Sequence, residues 1–218
     1  MEFVENHGCW RQTLSAFPSP SSRKRPALFL DRDGVVVEEV NYLHRVADMR
    51  LIEGAATLIH AANERMIPVV MVTNQSGVGR GYYDWSDFAI LQEALVTQLA
   101  TAGAHLDLVL ACAFHADAQP PFKAPDHPWR KPRPGMLHAA ADTLALELGQ
   151  SWIVDDSASD VEAGRNAGLA GAVHVATGHG ERDRITALAM ATSEFEVQAA
   201  KSLTGAMRIL PRGIAPSC

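Results

Sequence analysis

The sequence predicts an α/β fold: an open parallel sheet with helices on both faces, three layers in all. Three observations predict it. Short, continuous apolar runs recur along the chain, the pattern of parallel strands buried on both faces. Amphipathic helical stripes separate them, which makes repeated βα units with right-handed crossovers. The residues with chemistry gather just past the apolar runs, where open parallel sheets hold their ligands. A chain of 218 residues has the length of one such domain, and its 47% apolar content is that of a globular protein.

Residues 1–26 are polar and carry Pro18, Pro20 and the basic run Arg23-Lys24-Arg25, so they read as a loosely ordered, solvated arm before a single domain over 27–218. The strands are expected at 27–30, 68–72, 106–111, 151–154 and 172–176. Ala55, Leu58, Ile59, Ala62 and Met66 form one helical stripe. Phe88, Leu91, Leu95 and Leu99 form a second, with Ser86 placed to cap it. Pro134 suits the first turn of a third helix carrying Leu137, Ala141, Leu144 and Leu148, with Gly149 to end it. Ser157 can cap a fourth, closing near Gly168. Residues 112–129 contain four prolines and little periodicity, which marks a long loop of functional interest.

Composition narrows the classes of function. A net charge of -6 and a pI near 5.8 give no basic footprint for nucleic acid. Cys9, Cys112 and Cys218 are too few and too far apart for a disulfide framework, which fits a reducing compartment. No apolar run reaches the roughly 18 residues of a membrane span. The chain reads as a cytoplasmic protein, monomeric by default, whose partner is a small molecule and neither nucleic acid nor membrane.

Four stations carry the chemistry. In Leu28-Phe29-Leu30-Asp31-Arg32-Asp33-Gly34 a strand opens into a turn, and two carboxylates one residue apart face one crevice. Such a pair needs a cation or a shared proton. One could attack an electrophile while the other moves a proton. Val72-Thr73-Asn74-Gln75-Ser76-Gly77 puts a hydroxyl and amides at a second strand end, in a loop able to hold an anion. Arg130-Lys131-Pro132-Arg133-Pro134-Gly135 offers cations for phosphate oxygens on a stiffened approach to a helix. Lys131 is one of only four lysines, so its place in this motif stands out from the background. Asp155-Asp156, with Asp160 four residues beyond Asp156, adds oxygen ligands for a hard cation such as Mg²⁺.

These stations, in this order, resemble the haloacid dehalogenase-like phosphatases over roughly residues 27–177. Phe29-Leu30-Asp31-Arg32-Asp33-Gly34, Thr73-Asn74-Gln75-Ser76-Gly77 and Arg130-Lys131-Pro132 look like the branch that holds the heptose bisphosphate and histidinol-phosphate phosphatases. The resemblance implies a Rossmann-like core without a large cap domain, since residues 34–72 suffice for only a loop and a helix. It also implies Mg²⁺-dependent hydrolysis of a phosphomonoester through an aspartyl-phosphate. Asp31 becomes the nucleophile, Asp33 the acid/base, and Thr73 and Lys131 the phosphoryl-binding pair. Asp31, Asp33 and Asp156 hold the metal. Glu39, Val40, Asn41, Tyr42, Asn74, Gln75, Ser76 and Arg130 meet the substrate. The implied substrate is D-glycero-D-manno-heptose 1,7-bisphosphate, leaning to the β anomer, dephosphorylated at C7 for nucleotide-activated heptose and lipopolysaccharide core synthesis. Histidinol phosphate is the alternative. Phosphotransfer and non-catalytic phosphate binding are the other classes.

The chain departs from the branch in three places. Val35 stands where Thr is common. Ser157 stands where the heptose enzymes often have Lys, which removes a positive charge near the phosphate. The branch often carries a zinc loop before the Arg-Lys-Pro motif, and the matching stretches here keep Cys112 and His127 while Phe114 and Trp129 cannot ligate. With His115, and with Asp126 as a further donor, these residues are the candidates for a degenerate Zn²⁺ site.

Overall fold

The computed structural model describes residues 2–6, 8–15 and 24–214. Its strands are β1 (Glu2–Asn6), β2 (Cys9–Thr13), β3 (Leu28–Leu30), β4 (Val69–Asn74), β5 (Leu108–Cys112), β6 (Trp152–Asp155), β7 (Gly171–Val175) and β8 (Glu196–Ala200). They form one sheet in the order β1-β2-β5-β4-β3-β6-β7-β8. From β5 to β8 every neighbouring pair is parallel, and β1 and β2 run antiparallel at one edge. The helices are α1 (Ala55–Asn63), α2 (Ser76–Gly79), α3 (Trp85–Thr101), α4 (Gly135–Leu144), α5 (Ala158–Ala167), α6 (Gly180–Leu188) and α7 (Leu203–Ile209). Among the described residues no helix is long and apolar enough to cross a membrane.

The pleat sorts the core into two halves. Leu28 and Leu30 of β3 join Val69 and Met71 of β4 on one face, under Leu58 and Ile59 of α1 and Phe88, Leu91 and Leu95 of α3. Phe29, Val70 and Val72 point to the other face, where Met136, Leu137 and Ala140 of α4 and Val161 and Ala163 of α5 cover them. Burial on both faces explains why these strands read as unbroken apolar runs rather than alternating ones.

The order of strands also fixes where a site can form. From β3 the chain winds outward through β4 and β5, then returns to the other side of β3 for β6, β7 and β8. The carboxyl end of β3 therefore lies at the topological switch point, where loops on either side diverge and leave a crevice. Asp31 is the first residue past that end.

Three expectations need correction. The stretch 1–26 is not a loose arm throughout: β1 and β2 form a hairpin that extends the sheet beyond β5. Trp10 is 2% exposed and packs against Trp85 and Phe88 at ring-centroid distances of 5.6 and 5.2 Å, which anchors the hairpin on α3. Residues 16–23, with most of the Pro/Ser-rich stretch and Arg23, lie outside the described residues. The cap of α3 is Asp84 rather than Ser86, because Asp84 Oδ1 accepts from the backbone N–H groups of both Ser86 and Asp87 and Asp87 closes a capping box. Helix α4 stops at Leu144 instead of running to Leu148. There Ala145 turns left-handed (φ 53°), and the chain is drawn onto Arg25, whose carbonyl accepts from Glu147 N at 2.8 Å. The cap of α5 by Ser157 and its end at a left-handed Gly168 (φ 75°) match the expectation.

Candidate active site

Asp31, at the end of β3, is mostly buried, with 14% of its side chain exposed. Its Oδ1 accepts from the Arg32 backbone N–H at 2.7 Å and faces Lys131 Nζ at 3.2 Å. Burial raises the Asp31 carboxyl to about 7; Lys131 opposes the shift, while Asp160, Asp33 and Asp156 reinforce it.

Lys131 is buried on the approach to α4. Its ammonium donates to the Val72 carbonyl at 2.9 Å and pairs with Asp31 and Asp160. Burial alone would lower this ammonium, but Asp160, Asp31 and Asp155 outweigh it and push the group above its ordinary value. Its backbone is clamped by one side chain. Asn74 Nδ2 donates to the Lys131 carbonyl, and Lys131 N donates to Asn74 Oδ1, each at 3.2 Å. The loop after β4 thus fixes where the cation stands.

The acidic residues after β6 diverge. Asp155 is fully buried, its Oδ1 accepts from Ser157 N at 2.9 Å, and its Oδ2 has no hydrogen-bond partner. Burial, then Asp160, pushes its carboxyl well above the usual range, with Lys131 pulling the other way. Oxygens of Asp31, Asp155 and Asp160 all lie within 4.8 Å of one another. Asp156 turns to the loop after β7, where its Oδ2 accepts from His179 N at 2.6 Å. It packs so closely on Gly34 (φ 83°) that any Cβ there would collide with its carboxylate. Gly34 therefore serves both the left-handed turn and the close approach. Burial raises the Asp156 carboxyl, and the His179 N–H offsets part of that.

Asp33 faces the same crevice from the other side of Asp31. Arg32, 1% exposed, holds it through Nε at 3.1 and 3.2 Å and the second guanidinium nitrogen at 3.0 Å. Gln75 Nε2 donates to Asp33 Oδ2 at 3.0 Å and to Thr73 Oγ1 at 2.9 Å.

The result is a crevice of about 350 Å³ that brings together Asp31, Asp33, Lys131, Asp156 and Asp160. Glu39, Asn41, Tyr42, Asn74, Ser76 and Arg130 line it as expected. Val40 instead packs against the hydrophobic core. Gln75 is 2% exposed, and its amide is consumed inside the protein, so it supports the site from beneath instead of meeting substrate. Arg32, Tyr83 and His179 join the site without a sequence signal that assigned them there. His179 follows the carboxyl end of β7, where the strand-end rule could have found it. Nothing in the local sequence announces that Tyr83 folds back onto Gln75.

The proposed zinc ligands do not assemble. Cys112 Sγ lies 4.0 Å from His127 Nδ1, but that nitrogen accepts from Trp129 N. His115 faces away, toward Arg80 and Asp117. Asp126 is exposed and pairs with Arg133 at 2.9 Å. The His127 ring stacks on Phe114 at 3.8 Å, and Phe122 meets Phe114 edge-on at 5.9 Å. Burial pushes the Cys112 thiol up to about 11, away from the thiolate that zinc needs. Aromatic packing occupies the place of the metal. It also presents the Phe114 carbonyl, which accepts from Arg130 at 2.8 Å and aims that guanidinium into the crevice.

Comparison with known proteins agrees with this arrangement. Residues 128–203 match a family model described as HAD-hydrolase-like. The D-glycero-beta-D-manno-heptose-1,7-bisphosphate 7-phosphatase of Mesorhizobium japonicum is 48% identical over 145 residues, covering 66% of this chain and 67% of that protein. The chain belongs to the haloacid dehalogenase-like phosphatases. A second member of this phosphatase family, the D-glycero-D-manno-heptose-1,7-bisphosphate 7-phosphatase of Thermosynechococcus vestitus, is 42% identical over 163 residues, 72% of this chain and 82% of that one. Among solved structures, a protein described as a HAD-like phosphatase from Mesorhizobium loti superposes with a TM-score of 0.81 at 38% identity, covering 91% and 90% of the two chains. The D,D-heptose 1,7-bisphosphate phosphatase of B. bronchiseptica, complexed with magnesium and phosphate, gives 0.69 at 26% identity, covering 83% and 95%.

Proposed function

We propose that this phosphatase removes the C7 phosphate of D-glycero-D-manno-heptose 1,7-bisphosphate, with the β anomer preferred. The observation that carries the reading is Asp31: a buried carboxylate at the switch point, aligned by Lys131 and flanked by the second carboxylate Asp33. The heptose assignment is supported by the relatives that carry that name. The most similar relative named above acts on the β anomer, while a Burkholderia mallei relative at 38% identity is named for the α anomer. Histidinol phosphate finds no such support.

Asp31 attacks phosphorus, the P–O bond to the sugar breaks, and an aspartyl-phosphate forms. Asp33 gives its proton to the leaving sugar oxygen, then removes one from the water that hydrolyses the intermediate. Lys131 and the Thr73 hydroxyl stabilise the phosphoryl oxygens in a site already organised before substrate arrives. Arg130, held by Phe114, takes the distal phosphate.

The donor set fits a hard divalent cation. Three largely buried carboxylates, Asp31, Asp155 and Asp160, surround a single buried ammonium, Asp156 lines the same crevice, and one oxygen of Asp155 has no partner. Mg²⁺ would be held by Asp31, Asp156 and the Asp33 carbonyl and would offset the repulsion between carboxylate and phosphate.

A steady-state comparison of both heptose bisphosphate anomers, histidinol phosphate and simple sugar phosphates tests the substrate. The β-heptose ester is expected to give the highest kcat/KM; faster hydrolysis of histidinol phosphate would remove the assignment. Asp31→Asn is expected to abolish turnover with the fold intact, and near-normal activity would overturn the nucleophile.

A further inference from the structure

We propose that Gln75 is a positioning residue that orients both Asp33 and Thr73, and that Tyr83 fixes the orientation of Gln75. The inference rests on the acid/base role proposed for Asp33. A primary amide has two N–H donors and two carbonyl lone pairs. In Gln75 all four are used. Nε2 donates to Asp33 Oδ2 and Thr73 Oγ1, at 3.0 and 2.9 Å. Oε1 accepts from Arg32 at 3.1 Å and from the Tyr83 hydroxyl.

The chemistry of the partners decides which end of the amide faces which way. A guanidinium can only donate, so Arg32 must meet the oxygen. The Asp33 oxygen at Gln75 is the one that already accepts from Arg32, so Asp33 must meet the nitrogen. Rotating the amide by half a turn would oppose donor to donor at Arg32 and acceptor to acceptor at Asp33. All the parts lie out of solvent: Gln75, Arg32, Thr73 and Tyr83 are each buried. An unmade hydrogen bond here is therefore costly.

The frame around the amide is itself rigid. Arg32 also donates to the Leu43 carbonyl at 3.2 Å and sits over the Phe88 ring at 5.3 Å. The Tyr83 ring stacks on His44 with a 9° interplanar angle and packs so closely on Gly77 that a Cβ there would collide with it. Burial raises the Tyr83 phenol to about 12, which keeps its proton available for Gln75.

Two consequences reach the reaction. Arg32 and Gln75 together hold Asp33, so its carboxyl cannot turn freely while its crevice side stays open to substrate. The Thr73 oxygen accepts from Gln75, which leaves its single proton free for a phosphoryl oxygen, the role proposed for it above. With the amide reversed, Thr73 would spend that proton on Gln75.

The test compares kcat/KM for phenyl phosphate and p-nitrophenyl phosphate. This constant covers the steps through departure of the alcohol, and only the poorer leaving group, phenol, depends on a well-placed proton donor. Any loss through Thr73 is common to both esters and cancels in their ratio. Asp33→Asn is expected to lower the ratio (phenyl over p-nitrophenyl) by about 100-fold, the lower range for general acid catalysis. Gln75→Met should lower it about 10-fold and Tyr83→Phe about 3-fold. An unchanged ratio in folded Gln75→Met, with the ratio reduced in Asp33→Asn, overturns the inference and leaves the acid/base reading standing. An unchanged ratio in Asp33→Asn overturns both. Should Gln75→Met fail to fold, Tyr83→Phe, which loses one hydroxyl, decides alone, and an unchanged ratio there is the overturning result.

Discussion

The crevice at the ends of β3, β4 and β6 and the loop between β5 and α4 do similar jobs by opposite means. Both aim charged side chains into the same crevice. In the crevice the aim is electrostatic: Lys131 answers Asp31 and Asp160, Arg32 answers Asp33, and Asn74 and Gln75 tie the pairs to the backbone and to Thr73. In the loop it is apolar. Phe114, His127 and Phe122 stack, and Arg130 leans on a carbonyl that the stack holds. A buried charge left without its partner is penalised heavily, whereas trimming a partly exposed ring such as Phe114 leaves a smaller cavity and less lost burial. The crevice should therefore be brittle and the loop forgiving.

The largest expected effect breaks the crevice. Lys131→Met leaves Asp31, Asp155 and Asp160 buried without a counter-charge, so urea unfolding should show a loss of about 3–5 kcal/mol, together with loss of turnover. A loss under about 1 kcal/mol would show that these carboxyls are already neutral in the folded protein.

A second expectation concerns pH. The Asp31 carboxyl is raised to about 7 in the folded state, against about 3.9 when unfolded. Between those values the folded chain holds a proton that the unfolded chain lacks, so this group's contribution to stability falls as pH rises from about 4 to 7. In the proposed site Mg²⁺ would bind the ionised carboxylate and relieve that penalty. The increase in Tm on adding Mg²⁺ should be larger at about pH 8 than at about pH 5.5, as thermal scans would show. Equal increments would mean that Asp31 is ionised throughout.

Trimming the loop should do less. Phe114→Ala is expected to raise KM severalfold for a bisphosphate substrate and to change kcat little, because the carbonyl that seats Arg130 loses the ring stack that holds it while Asp31 and Lys131 keep their partners. A fall in kcat with KM unchanged would tie the loop to the chemical step. The smallest effect is expected from zinc chelation. Purified protein should hold no stoichiometric zinc and lose no activity to a zinc-selective chelator, with Cys112 unreactive toward alkylating reagents at about pH 8 in the folded state. Stoichiometric zinc would return the loop to the metal-bound pattern.

The central strands were legible because burial on both faces leaves a continuous apolar signature, as in Leu28-Phe29-Leu30 and Val69-Val70-Met71-Val72. β8 was not, since Glu196–Ala200 lies at an edge and only its last residue is buried. Cys9–Thr13, between β1 and β5, escaped because it alternates buried with more exposed residues, and its one deep apolar anchor, Trp10, depends on rings 75 and 78 residues away in Trp85 and Phe88. Asp31, Thr73, Lys131 and Asp156 were legible because each follows or ends a strand, or opens a helix, and those signals are local. The roles of Gln75 and Tyr83 were not, because an amide's value here depends on four partners from three segments of chain.

The sequence by itself determined which residues stand at the mouth of the sheet and in what order. Strand ends and helix starts follow from apolar period, caps and turns, and all of these are properties of neighbours along the chain. Only the tertiary structure decided how those residues face one another. It set Asp155 inward without a partner for one oxygen and turned Asp156 onto Gly34 and His179. It also drew Cys112, His115 and His127 apart and filled the gap with rings. Burial and pairing, which set the charge and direction of each group, arise between segments distant in sequence, and no local pattern encodes them.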